Sequence, residues 1–233
     1  MGTGTGLGNF HTFRYAYTTS MKKAFPWLVF LVISLGSDLD LFAQETLKDS
    51  RVKPAWEFSA SAYAYFIPDD FFVIPVFTAD RDWLHLEARY NYEDVKTVSL
   101  WGGYNFDGGK KLEWSLTPML GVVLGNTNGL APGLEGTLSY KRLEFYTEGQ
   151  WLFNLESKDD NYIYFWSDLS FTPWDWFTIG LSTQRTRVYD TDKDVQKGLL
   201  AGFNYKKASL TSYFYNIGSS SSFFYMLAAS VYF

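Results

Sequence analysis

Residues 83–93 read WLHLEARYNYE and hold the densest group of side chains able to move a proton or carry charge. In an extended chain successive side chains point to opposite faces. His85, Glu87, Arg89 and Asn91 therefore share one face, and Leu84, Leu86, Ala88 and Tyr90 share the other. An imidazole beside a carboxylate offers a general base, and a hydrolytic centre then needs a hydroxyl within hydrogen-bond reach of it. Folding the chain back around Glu93 to Val95 sets Arg89 opposite Ser99, Glu87 opposite Trp101 and His85 opposite Gly103. Ser99 then lies roughly 13 Å along from His85 at the usual rise per strand residue. That pair has no catalytic geometry, and no catalytic residue is assigned. Ion pairing of Glu87 with Arg89 within a polar face is the simpler reading.

Metal chemistry finds no ligand set by spacing. The chain has no cysteine, only His85 follows residue 44, and the carboxylates fall on separate segments, so neither a metal nor a cofactor is expected. The acidic runs at 156–160 and 190–194 lack the glycine and closing glutamate of a calcium loop and read as solvated loops.

A second cluster comes from a turn at Lys141-Arg142. A two-residue turn pairs Tyr140 with Leu143, Ser139 with Glu144, Thr137 with Tyr146 and Glu135 with Glu148. Directly opposed carboxylates repel, and matching faces on the next strand bring Asp168 beside Tyr146, enlarging the acidic patch. Arg89 reaching across the lumen, or a permeating cation, is the candidate to relieve it. His85, Glu87, Arg89, Glu135, Glu148 and Asp168 are thus expected to form one polar cluster.

Short alternating runs separated by turn residues must position these groups. Strands are expected near 55–66, 71–78, 83–92, 96–106, 111–124, 130–140, 143–154, 162–172, 176–187, 197–205, 208–216 and 223–233. The run at 71–78 contains Pro75 and is the weakest of the twelve. The connections sort into two kinds. Tight, often basic turns at 109–110, 141–142, 173–175 and 206–207 alternate with longer, largely acidic ones at 69–70, 93–94, 126–129, 156–161 and 189–195. LSYKRLEFY and FNYKKASLT are two versions of one tight hairpin.

The final strand fixes the class. Counting back from Phe233, Val231, Ala229, Leu227, Tyr225 and Phe223 share one face, with Tyr232, Ser230, Ala228, Met226 and Phe224 on the other. An alternating strand that closes on an aromatic residue resembles the closing strand of bacterial outer-membrane β-barrels. The resemblance implies an all-β fold, an antiparallel transmembrane up-and-down barrel of about twelve strands with ten as the alternative. It further implies residence in the bacterial outer membrane, contact with outer-membrane lipid, and recognition of the terminal strand by the outer-membrane assembly machinery. Because both ends of the barrel must lie on the periplasmic side, the strand number must be even.

Upstream, Met21-Lys22-Lys23 precedes the apolar run AFPWLVFLVISLG, which is too short to span a bilayer as a helix and reads as a secretory signal. The expected division is a misassigned extension at 1–20, a signal peptide at 21–44, a short periplasmic lead at 45–54 and a single barrel at 55–233. Tyr140, Trp174, Trp176, Tyr205 and Phe233 are expected in one aromatic girdle at the tight-turn end.

Aromatic residues make up 20% of the chain while the mean hydropathy is only -0.13, a combination suited to strands with one apolar and one polar face. A net charge of -5 excludes a nucleic-acid partner. The functional expectation is a narrow channel or transport-related barrel with a polar, partly acidic lumen. The alternatives are a lipid-modifying enzyme and a structural or envelope-contact barrel.

Overall fold

A computed structural model of the chain describes residues 55–68, 70–185, 195–219 and 222–233. The expected extension, signal peptide and periplasmic lead, and most of the connection at 189–195, lie outside the described residues. Within them the chain winds up and down through twelve antiparallel strands that close into a barrel. They are β1 (Glu57–Ile67), β2 (Asp70–Arg81), β3 (Leu84–Tyr90), β4 (Thr97–Tyr104, continued past Asn105 by Phe106–Gly108), β5 (Glu113–Gly125) and β6 (Gly129–Tyr140). The second half comprises β7 (Leu143–Asn154), β8 (Tyr162–Trp174), β9 (Phe177–Arg185), β10 (Gln196–Tyr205), β11 (Ala208–Tyr215) and β12 (Phe224–Tyr232). Each strand pairs with its chain neighbours. The seam joins β1 to β12 from Ser59 opposite Tyr232 to Phe66 opposite Tyr225, and the Phe233 N–H adds a bond of 2.9 Å to the Phe58 carbonyl.

Period-two alternation decides what faces where. Leu86, Leu100, Leu120, Leu134, Leu169, Leu181, Leu199 and Phe203 are exposed around the outside, while Trp101, Val123, Leu152, Trp166, Tyr215 and Met226 are buried inside. A continuous outward apolar belt is an aggregation surface in water and a solvation surface in lipid. The strands therefore span a membrane.

Pro75 is accommodated because β2 pairs with β3 only from Val76 onward, so the half of the strand that contains Pro75 has a strand partner only in β1. Proline lacks a ladder donor and belongs at such an edge. The tight turns between β2 and β3, β6 and β7, and β10 and β11 place Asp82, Lys141 and Lys206 at φ of 56°, 57° and 53°. These left-handed residues cost about 1 kcal/mol each, and the two lysines offset part of it by setting Nζ over the preceding ring, 5.3 Å from Tyr140 and 5.5 Å from Tyr205.

Tyr140, Trp174, Trp176 and Tyr205 are exposed at this tight-turn end, Trp174 and Trp176 stacked at 5.7 Å, and Phe233 closes the seam at the same end. The opposite end carries the longer connections, among them residues 91–96 and 155–161.

Candidate functional site

The lumen is filled at mid-depth by side chains of two kinds. One wall is aromatic and aliphatic. Tyr65 stacks on Phe72 at 5.0 Å, Tyr215 on Phe224 at 4.7 Å, and Ile74, Val76, Leu200 and Met226 belong to the same cluster, which reaches Tyr164 and Trp166 on β8. The facing wall, from β3 to β8, carries the charges.

Arg89 occupies its centre. Its Nη2 donates to Glu87 at 2.7 Å and to Glu135 at 3.4 Å, its Nη1 donates to Gln150 at 3.0 Å, and Glu93 lies 4.0 Å away. The guanidinium plane is held between two rings, 4.3 Å from the Tyr92 centroid and 4.6 Å from Trp101. Trp101 reaches this position because β5 and β6 present Gly121 and Gly133 beneath it. A Cβ at Gly121 would stand 2.5 Å from the indole, and one at Gly133 2.9 Å. The indole N–H donates to Ser99 Oγ at 3.0 Å. Sequence spacing and structure coincide in the register that places Arg89 opposite Ser99 and His85 opposite Gly103.

The remaining carboxylates have separate partners. Glu148 accepts from Tyr92, from Tyr164 at 3.0 Å and from Tyr146 at 3.0 Å. Asp168 accepts from Trp166 Nε1 at 2.7 Å, Ser182 at 2.5 Å and Tyr213 at 3.1 Å. His85 Nδ1–H donates to Asp80 Oδ1 at 2.7 Å. Arg89 thus brings Glu87 and Glu135 together, whereas Glu148 and Asp168 are held by phenols, an indole and a hydroxyl. The space beside Arg89, bordered by Met119, Glu135, Glu148 and Tyr164, leaves no room for a water molecule.

The connection after β3 departs from the sequence reading. Asn91 was expected to continue the polar face and Glu93 to sit in an outer turn. Instead Asn91 adopts φ of 58°, bonds the Val73 carbonyl at 3.2 Å and accepts from the Lys96 N–H at 2.7 Å. This left-handed residue reverses the alternation and turns both Tyr92 and Glu93 into the lumen, where they are buried. Tyr162 pins the fold by donating to the Glu93 carbonyl at 2.5 Å, and Thr127 by donating to Asp94 at 2.9 Å. Burial raises the Glu93 carboxyl above its ordinary pKa, against the opposing pull of Arg89. The one sequence signal for this fold is an Asn at the end of a strand, a residue tolerant of positive φ.

A closed antiparallel barrel with an outward apolar belt and a charged, side-chain-filled lumen defines the class: this is a transmembrane β-barrel. In fold it is similar to the KdgM porin in complex with disordered oligogalacturonate, at a TM-score of 0.56 and 13% identity over 74% of this chain and 98% of that one. The KdgM porin by itself gives a TM-score of 0.53 at the same identity and coverage. Omp33 of Acinetobacter baumannii gives 0.45 at 11% identity, over 76% of this chain and 98% of that one. No protein-family model matches the chain, and no curated protein matches it in sequence.

Proposed function

We propose that the chain is a narrow outer-membrane channel whose lumen disfavours anions and which this conformation holds closed. The observation that carries the reading is that Arg89 is the one buried guanidinium among the described residues, set among the lumen carboxylates Glu87, Glu93, Glu135 and Glu148. A barrel filled for stability alone is best filled with apolar side chains, because each buried ion costs several kcal/mol before pairing. Retaining an acidic excess there fits a path for solutes. Arg89 and the inward fold of 91–96 act as the closure.

The oligogalacturonate named with the KdgM porin is a polyanion, and the acidic lumen here opposes such a solute. A neutral or cationic one fits. The planar-bilayer conductance of the refolded chain tests the proposal. Small cation-preferring steps are expected, enlarged by Arg89→Ala and shifted toward neutrality in reversal potential by Glu135→Gln. The filled mid-lumen favours one other reading, a structural or envelope-contact barrel, and silent bilayers for both wild type and Arg89→Ala identify it. A lipid hydrolase has less support, since the Ser99 hydroxyl is engaged by Trp101 and lies four strand positions from His85.

A further inference from the structure

His85, Glu87 and Glu135 each bring a ligand atom within 4.8 Å of the others, although Glu135 lies on β6 and the other two on β3. Sequence spacing separates them, and the curvature of the barrel joins them. Acidic clusters are common, but here a second observation points inward. His85 is 5% exposed, and its Nε2 has no hydrogen-bond partner while standing 3.6 Å from Glu87 Oε2. An unsatisfied buried ring nitrogen is destabilising unless something fills the gap.

We propose that His85 Nε2, Glu87 and Glu135 bind one divalent first-row transition ion of the Zn²⁺ type near the tight-turn mouth of the lumen. One imidazole and two carboxylates make a mixed N/O set suited to such an ion. The opposite ring nitrogen, Nδ1, is held at 2.7 Å by Asp80. A carboxylate on the far side of a ligating imidazole fixes its tautomer and orientation and raises its basicity. Asp80 thereby acts as a positioning residue. Asn105 donates to the same Asp80 oxygen at 2.9 Å and locks its rotamer.

The geometry needs little rearrangement. Bonds of about 2.0–2.2 Å in a tetrahedral site set ligand atoms roughly 3.4 Å apart. His85 and Glu87 already stand near this separation, and Glu135 is the free member, its side chain 21% exposed and bonded to Arg89 only at 3.4 Å. Glu87 Oε2 is both the oxygen 3.6 Å from His85 Nε2 and the acceptor from Arg89 at 2.7 Å, so ion binding turns the carboxylate to present Oε1 while Oε2 keeps Arg89. Access is from the tight-turn end, where the Asp80 side chain is 32% exposed. The local charge accepts a dication: among the described residues Arg89 is the one fixed cation paired with Glu87 and Glu135, and Asp80 adds a third carboxylate on the far side of His85.

The test is independent of any conductance. The refolded, chelator-treated chain in detergent micelles is titrated with Zn²⁺ by calorimetry and with Co²⁺ by its visible spectrum. One equivalent is expected, with affinity lowered at least tenfold by His85→Ala and by Glu135→Gln, and roughly 10–100-fold by Asp80→Asn. The exposed Glu144→Gln change should have no effect. Heat-modifiable migration verifies that each variant folds. The chain has two histidines, so in His11→Gln the ¹⁵N-imidazole resonances belong to His85, and they should move on adding Zn²⁺ without any change at the site itself. Unmoved resonances, or stoichiometric binding indifferent to His85→Ala, would overturn the site and leave His85 as a member of an ion-pair network only.

Discussion

Glu135 and Glu148 are directly paired across β6 and β7, yet their carboxylates turn to different partners. Glu135 reaches Arg89, whereas Glu148 sits among the hydroxyls of Tyr92, Tyr146 and Tyr164. The repulsion that the register imposes is relieved by divergence, with each charge given its own donors.

The two glutamates should therefore respond differently to neutralisation. Glu148→Gln replaces an acceptor of three phenols by an amide that must donate on one side, and a loss of about 1–3 kcal/mol is expected. Glu135→Gln should cost less, since Arg89 retains Glu87. Urea midpoints followed by tryptophan fluorescence in micelles check the order, and a larger loss at Glu135 would contradict the partner assignment.

Arg89→Met leaves Glu87 and Glu93 buried without their cation, and breaking such a pair from one side costs roughly 3–5 kcal/mol. Adding Glu87→Gln should recover part of that loss. The double-mutant cycle measures the coupling, and strict additivity would mean that the two side chains do not interact.

Gly121 exists to make room. In Gly121→Val the new side chain meets the Trp101 indole and displaces it from beneath Arg89, with an expected overpacking cost of about 1–3 kcal/mol. Near-ultraviolet circular dichroism should report the loss of a fixed indole environment, whereas Gly102→Val, where nothing lies within 4 Å of a Cβ, should leave it unchanged.

Glu93 should make the 91–96 connection sensitive to pH. Its folded pKa is raised by burial, so the folded state holds the proton more tightly than the unfolded one. Its contribution is fully present below the ordinary carboxylate pKa and is lost as pH rises through the raised value. Hydrogen exchange at residues 91–96, corrected for the intrinsic pH dependence, should show easier opening at neutral than at acidic pH. Glu93→Gln should remove the difference. A pH response that survives in this variant would place the titration elsewhere.

Twelve strands, their turns and most of their partners were legible in the sequence because period-two alternation and two-residue turns are local. Once Lys141-Arg142 is a tight turn, Glu135 must face Glu148, and once the chain doubles back after Tyr90, His85 must face Gly103. Pro75 made its strand the weakest in the sequence, and the structure keeps the strand by leaving that half unpaired with β3. What tertiary structure alone decided are the contacts across the lumen. No strand register relates Tyr92 to Glu148, Arg89 to Gln150 or His85 to Glu135; those distances follow from the tilt and closure of the whole barrel. The reversal at Asn91 was also hidden, because a left-handed residue turns Tyr92 and Glu93 inward without altering the pattern of residue types, while β4 keeps the register that the spacing gives it. Local periodicity therefore determined the wall, and closure determined what meets inside it.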